Sequence, residues 1–384
     1  YEEIRRNISE KVKFWCKHCE SDIYVEGKRI NEPFELRHPY VVEHQVPGTE
    51  VLVAPSEEEK PFYGFYNRGL TLVERGMTAD PAASHIPGVQ FKIKSRYLEH
   101  TLTRDNVLVD ENFAKAMAIL RQVVDGPFRK RLFEEAFKGE DDAVFGYLVQ
   151  RLKGLPEDLH GKPLILTVDG ARLSLKQIRA AAQKTGEILY DDRETPISRA
   201  LKAQGFRVIR WRGPEAEPGL GKLLRHLADK KGQLLQASAT FAQPSLVNNL
   251  PRPHAELLEQ AGRILRRAGS PYRAIYPGSF QYDGSCIADR TYVLQKKPGS
   301  LLRRDGEKKT WWTGLFGGAP QDLVVNVEDE LVAQNFRLAQ KFPTLAPYLL
   351  ATTFTMCDGL DAVTVTRMIE AAMAERGDLP KAAR

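Results

Sequence analysis

The stretch S-R-Y-L-E-H-T-L-T-R-D-N-V, Ser95 to Val107, decides how this chain is read. Upstream of it, Val89 to Ile93 has the pattern of a strand. Downstream, Asp110 to Val124 places Phe113, Ala116, Met117 and Leu120 on one helical face. The stretch is therefore the joint between a sheet and the helices that cover it. Within it, the order Thr103-Arg104-Asp105 predicts a helix start. The Thr103 hydroxyl suits an N-cap, and the Asp105 carboxylate suits the positive end of the helix dipole. Arg104 would then stand on a rigid edge with its guanidinium turned outward, where its planar fork can meet a phosphate. The plainer alternative is a solvated residue at a helix start, because short motifs often match by chance.

Upstream, Glu50 to Ala54, Phe62 to Tyr66 and Leu70 to Val73 read as strands, with Asn67-Arg68-Gly69 as a tight turn. Tyr40 to Ile93 is expected to form an antiparallel sheet packed on helices. At the start, Glu2 to Cys19 reads as a helix with Ile4, Ile8, Val12, Phe14 and Trp15 as its apolar stripe. Ile23 to Val25 is a short strand before the turn Glu26-Gly27-Lys28. Downstream, Gly126-Pro127 is expected to break the first helix, followed by helices over Phe128 to Phe137 and Asp142 to Lys153. Strand Leu164 to Val168 leads to a helix capped by Ser174, then strand Glu187 to Tyr190. Helix Ile197 to Gln204 and strand Phe206 to Trp211 complete a pattern that predicts a small parallel sheet. From Gln243 onward, one strand, Leu323 to Val327, stands among helices. The expected class is mixed α/β of the α+β kind: antiparallel sheet with helices, small parallel unit, mainly helical end. The expected boundaries are 1–34, 35–155, 156–242 and 243–384.

The 384 residues suffice for two or three cores, and a 42% hydrophobic, 28% charged composition is ordinary for a soluble globular protein. No apolar run approaches the roughly 20 residues that cross a bilayer, so no membrane is expected and the cytoplasm fits. A charged amphipathic opening is unlike a secretory leader, and Tyr1 in place of Met suggests a fragment or processed form. The net charge of +6 is compatible with acidic partners, nucleotides or nucleic acid without selecting one. Four cysteines make no disulfide framework, and Cys16-Lys17-His18-Cys19 lacks the second pair a zinc site needs.

Four segments resemble, in order along the chain, the HtpG-type chaperones, the bacterial branch of the ninety-kilodalton heat-shock family. Tyr1 to Phe34 resembles the last helix and strand of that family's N-terminal ATP-binding domain. Leu102-Thr103-Arg104-Asp105 resembles the L-S-R-E segment of the middle domain. Ile188 to Arg210 resembles the family's strand, tyrosine and acidic turn, short helix ending in K-x-x-G, and following strand. Leu323 to Leu350, beginning L-V-V-N-V-E-D-E-L-V, resembles the C-terminal strand and helix, with Glu330 where proline is usual. Two departures stand out: Arg96 and Tyr97 occupy a loop where the family shows acids, and Leu108 replaces a glutamine.

The resemblance implies the middle and C-terminal domains of such a chaperone. Arg104 would be its one catalytic carry-over, reaching the γ-phosphate of ATP held with Mg2+ by a separate N-terminal domain. No cofactor is expected on this chain alone, nor any ATP turnover by it. Trp311, Trp312, Leu315 and Phe316 would form an exposed segment that touches non-native client proteins; core tryptophans are the alternative. Leu349, Phe354, Val363, Ile369 and Met373 would build a homodimer as a symmetric four-helix bundle. A second reading is the transducer of a MutL- or gyrase-like nucleic-acid-processing ATPase. It rests on the basic balance and on Phe65-Tyr66-Asn67-Arg68-Gly69-Leu70, which resembles the N-G-R turn of those proteins. A third is an interaction scaffold that has lost its ATPase. Lys92, Lys94 and Arg96 are expected as solvated neighbours of Arg104, His100 as a loop residue, and Asp169 and Asp191-Asp192 as turn formers at strand ends.

Overall fold

Two compact units make up the computed structural model. One comprises Tyr1–Ile188 with Ile209–Leu234, the other Leu189–Val208 with Leu235–Arg384. The residues described are 2–58, 60–75, 86–103, 106–138, 142–228, 232–269, 272–304, 321–356 and 362–376. The class is α+β, with antiparallel and mixed sheets and helices packed on them.

The first unit opens with α1 (Glu2–Cys16) and a small hairpin of β1 (Tyr24–Val25) and β2 (Lys28–Arg29). Its main sheet holds β3 (Val42–Val46), β4 (Thr49–Pro55), β5 (Tyr63–Asn67), β6 (Leu70–Glu74) and β7 (Val89–Ser95). Their order is β3-β4-β7-β5-β6. The sheet expected to be antiparallel is mixed, because β7 enters between β4 and β5 and runs parallel to β5. Only the neighbouring hairpins were readable from local turns. In one of them Arg68 and Gly69 both take positive φ, 49° and 91°, the twist that a two-residue hairpin requires.

Alternation gives the sheet two unlike faces. Val51, Val53, Phe65, Phe91 and Ile93 are buried on one face, where Phe65 meets Phe113 at 5.2 Å between ring centres. Phe113 belongs to α2 (Glu111–Val123). Gly126-Pro127 does not break this helix: Val124–Phe128 is a π-type turn that runs directly into α3 (Arg129–Lys138). The wider turn absorbs the hydrogen bond that proline cannot donate. Next come α4 (Asp142–Arg151) and a short α5 (Glu157–His160). The strand expected at Leu164 is β8 (Pro163–Leu166), which pairs antiparallel with β9 (Arg172–Ser174). Ser174 caps α6 (Leu175–Thr185) in a reciprocal capping box with Gln177, as its sequence position suggested.

The chain passes between the units within three strands, β10 (Glu187–Asp191), β11 (Val208–Arg210) and β12 (Gln233–Gln236). In the second unit Thr195 caps α7 (Pro196–Ala203). Back in the first unit, the Asp142 carboxylate of α4 accepts the Leu220 N–H at 2.7 Å, capping α8 (Pro218–Leu227) from a neighbouring helix.

The second unit continues with α9 (Ala237–Thr240), β13 (Phe241–Ala242), β14 (Ser245–Leu246) and α10 (Arg252–Arg267). The strands β15 (Tyr272–Ser279), β16 (Tyr292–Gln295), β17 (Leu302–Arg303) and β18 (Gln321–Asn326) follow. β14, β15, β18 and β16 form one sheet in that order and β17 pairs with β13, so this end is less purely helical than its sequence suggests. Helices α11 (Glu330–Lys341), α12 (Ala346–Met356) and α13 (Ala362–Arg376) join α10 around a core. Leu258, Ala261, Leu265, Leu323, Val325, Phe336, Leu350, Phe354 and Met368 fill that core.

Candidate functional site

The chain leaves β7 at Ser95, and a bridge between His100 and Val107 closes the excursion that follows. Within it the Thr101 N–H donates to the Asn106 carbonyl at 3.0 Å, and the Leu108 N–H to the Glu99 carbonyl at 2.7 Å. Leu98 and Val107 are buried and fix both sides of the excursion. Leu102 is fully exposed, and Tyr97, Leu108 and Val109 are exposed beside it. Arg104 and Asp105 lie outside the described residues.

Thr103 does not start a helix but lies in a turn. The helix begins at Glu111, and Asp110 does the capping, its carboxylate accepting the Phe113 N–H at 2.8 Å. His100 pairs with Val107, and the described residues from Asn106 to Asp110 are not helical. The first core-facing helical side chain is Phe113.

Of the three cations expected to be solvated, Arg96 is exposed, while Lys94 and Lys92 are committed to partners. Lys94 pairs with Glu50 at 2.6 Å and lies over the Phe34 ring. Arg96 stacks on Tyr97. Lys92 is buried, only 9% exposed. Its Nζ lies 3.0 Å from His18 Nε2 and within 6.0 Å of the ring centres of Phe34, Phe62 and Tyr66. His18, 6% exposed, donates from Nδ1 to the Glu32 carbonyl at 3.1 Å. That bond leaves Nε2 as the acceptor for Lys92. Tyr66 donates its hydroxyl to Glu74, which also takes Lys17 at 2.9 Å. Burial pushes the His18 imidazole and the Lys92 amine below their ordinary values. Burial, then the Glu74 charge, pushes the Tyr66 phenol up. The strand pattern Gln90, Lys92, Lys94 on the face opposite Phe91 and Ile93 hinted at this cluster. Its partners, however, lie 57 and 74 residues away in sequence.

Of the acids expected as turn formers, Asp169 forms one, whereas Asp191 ends a strand and is bonded to Ser238. Gly170 has φ +80°, and Asp169-Gly170 is the turn of the β8–β9 hairpin, closed by Thr167 N–H to Ala171 carbonyl at 2.8 Å. Asp191 is fully buried and accepts the Ser238 hydroxyl at 2.6 Å and its N–H at 3.1 Å; burial raises its carboxyl. Cys16 and Cys19 are free thiols, and no cluster suited to a metal ion occurs among the described residues.

Trp311, Trp312, Leu315 and Phe316 lie outside the described residues. Of the residues assigned to the dimer, Phe354 is fully buried in its own unit's core. The ring meets Tyr292 at 5.5 Å, so α10 and the sheet already supply the cover that a lone helix pair lacks. Leu349 is half-buried, while Ile369 and Met373, one turn apart on α13, are exposed. The Val363 side chain lies outside the described residues.

Among the described residues no helix is long and apolar enough to cross a membrane. No protein-family model matches this chain. No curated protein matches it either.

Proposed function

We propose that this chain works as the middle and C-terminal part of an ATP-dependent chaperone of the HtpG type. ATP and Mg2+ would be held by a separate nucleotide-binding domain, and Arg104 would supply a fixed positive charge beside the γ-phosphate. The observation that carries this reading is the Ser95-to-Asp110 joint. Buried Leu98 and Val107 anchor an excursion whose neighbouring Leu102 stands wholly in solvent. A residue offered to another domain needs that combination of fixed base and exposed tip. Clients and a second copy of the chain are the proposed partners. The exposed Ile369 and Met373 supply apolar surface for the second copy.

In the full-length protein Arg104→Ala is expected to lower ATP turnover about a hundredfold while leaving nucleotide affinity nearly intact, the behaviour of a contact made mainly in the transition state. Unchanged turnover removes Arg104 from the mechanism, and turnover by the isolated chain overturns the division of labour. Sedimentation should show a dimer that becomes a monomer once the chain is cut near Asp358. The nucleic-acid reading is less favoured. A Cβ on Gly69 would stand 1.8 Å from the His18 carbonyl oxygen, so the turn it resembles is packed tightly against the segment following α1. Salt-dependent DNA binding by the intact chain would restore it.

A further inference from the structure

The segment that follows α1 is held to the sheet in an unusual way. None of the helix's described side chains is buried, and Ile8 on its expected apolar stripe is 55% exposed. The hold lies at the C-terminal end, and it is mostly polar. Thr71 donates its hydroxyl to the Phe14 carbonyl at 2.8 Å, Lys17 pairs with Glu74, and His18 accepts from Lys92. His18 and Phe34 pack edge-on against each other and against Tyr66, at 5.2–5.4 Å between ring centres. Behind them, Asn31 ties the segment to itself by donating to the Cys19 and Ser21 carbonyls.

The proton count at the centre of this contact is restricted by geometry. His18 Nδ1–H is spent on the Glu32 carbonyl, so Nε2 can meet the Lys92 amine at 3.0 Å only if one of the two nitrogens lacks a proton. A second positive charge would set donor against donor in a buried place. The charged and titratable groups facing the His18–Lys92 pair are Lys17, Glu74 on β6, Tyr66 on β5, Glu32 in the same segment and Glu35 just beyond it. Glu74 is already shared between Lys17 and Tyr66, and Glu32 is paired with Lys13 at 2.8 Å. Glu35 is paired with Arg37 at 3.6 Å, so each of these carboxylates already has a partner.

We propose that residues 16–34 form an acid-sensitive latch, in which adding one proton to the His18–Lys92 pair releases this segment from the five-stranded sheet. The sign follows from linkage. The released segment carries both protons below the ordinary histidine value of 6.5, whereas the docked pair holds one fewer. Docking is therefore at full strength above 6.5 and weakens as pH falls through that value toward the lowered value of the docked histidine. The inference does not depend on the chaperone reading.

Amide hydrogen exchange on the intact chain tests it, with rates corrected for intrinsic pH dependence. The reporters are the Ile30 and Glu32 amides, which bond to the Ile23 and Lys17 carbonyls; Val53 and Ile93 serve as controls within the sheet. Protection of the reporters should fall by up to about tenfold per pH unit below 6.5 while the controls hold. In His18→Gln the reporters should show no such fall. Constant protection in the wild type between pH 7.5 and 5.5, or an equal fall in the variant, overturns the proposal. Nitrogen-15 titration of wild-type His18 decides the matter if the variant fails to dock. Nε2 should be bare at pH 7.5 and should gain its proton below 6.5; a doubly protonated His18 above 6.5 overturns the latch.

Discussion

On the helix side of the five-stranded sheet, Val51, Val53, Phe65, Phe91 and Ile93 close against Phe113 and its neighbours. On the other side, Tyr66, Thr71, Glu74, Lys92 and Lys94 meet Phe14, Lys17, His18 and Phe34. The same strands supply both sets, alternating residue by residue. The first contact draws on apolar burial, worth roughly 25 cal/mol per Å² and insensitive to pH. The second exchanges hydrogen bonds with water for hydrogen bonds within the protein, at a net gain of about 1 kcal/mol each, and buries charge at a cost. One face therefore sets whether the unit is folded, while the other sets under what conditions a segment stays attached.

The largest effect should come from the apolar face. Phe65→Ala is expected to cost about 3–5 kcal/mol, lowering the denaturant midpoint and exposing β4, β7 and α2 together. If only the segment 16–34 loosens instead, the two faces are not distinct in the way described. Gly69→Ala attacks the other side. The added Cβ would require a left-handed conformation of a non-glycine residue and would overlap the His18 carbonyl. A loss of about 1–3 kcal/mol should appear in the protection of Ile30 and Glu32, with the sheet amides little changed. A global loss of equal size would show that the polar face stabilises the whole unit. The smallest change sharpens the comparison from the helix end. Asp110→Ala removes one cap and should cost about 1 kcal/mol, read as fraying of α2 without effect on the latch residues.

How far these two faces could be read beforehand follows from how local each cause is. Phe91 and Ile93 announce a buried strand face by alternation, and Asn67-Arg68-Gly69 announces its hairpin by turn chemistry. Ser174 was legible as a cap for the same reason; its reciprocal partner Gln177 was not read. The position of β7 between β4 and β5 was not legible, because strand order is decided by contacts across the unit. Thr103 was the cap the sequence suggested, but Asp110 caps the helix, beyond the closure of His100 on Val107. Lys92 read as solvated because its cover, His18 and Phe34, comes from far upstream. The strand Tyr272–Ser279 was missed because Pro277 and Gly278 disguise it, although it pairs in parallel with β18. Of the candidate site, the burial of Leu98 and Val107 on either side of the excursion was not legible either, because it is set by the core they enter.

The wide turn at Val124–Phe128 has a mechanical consequence. Because it joins α2 to α3 instead of ending the first helix, one unbroken helical lever runs from Glu111 to Lys138. Its axis is roughly 40 Å long at 1.5 Å per residue. One end is tied by Asp110 to the excursion that His100 and Val107 close, and the other packs beside β8. A push on that loop cannot be absorbed by a flexible joint between two helices. It must either bend the rod at its wide turn or be delivered, as displacement, to the hairpin at the far end.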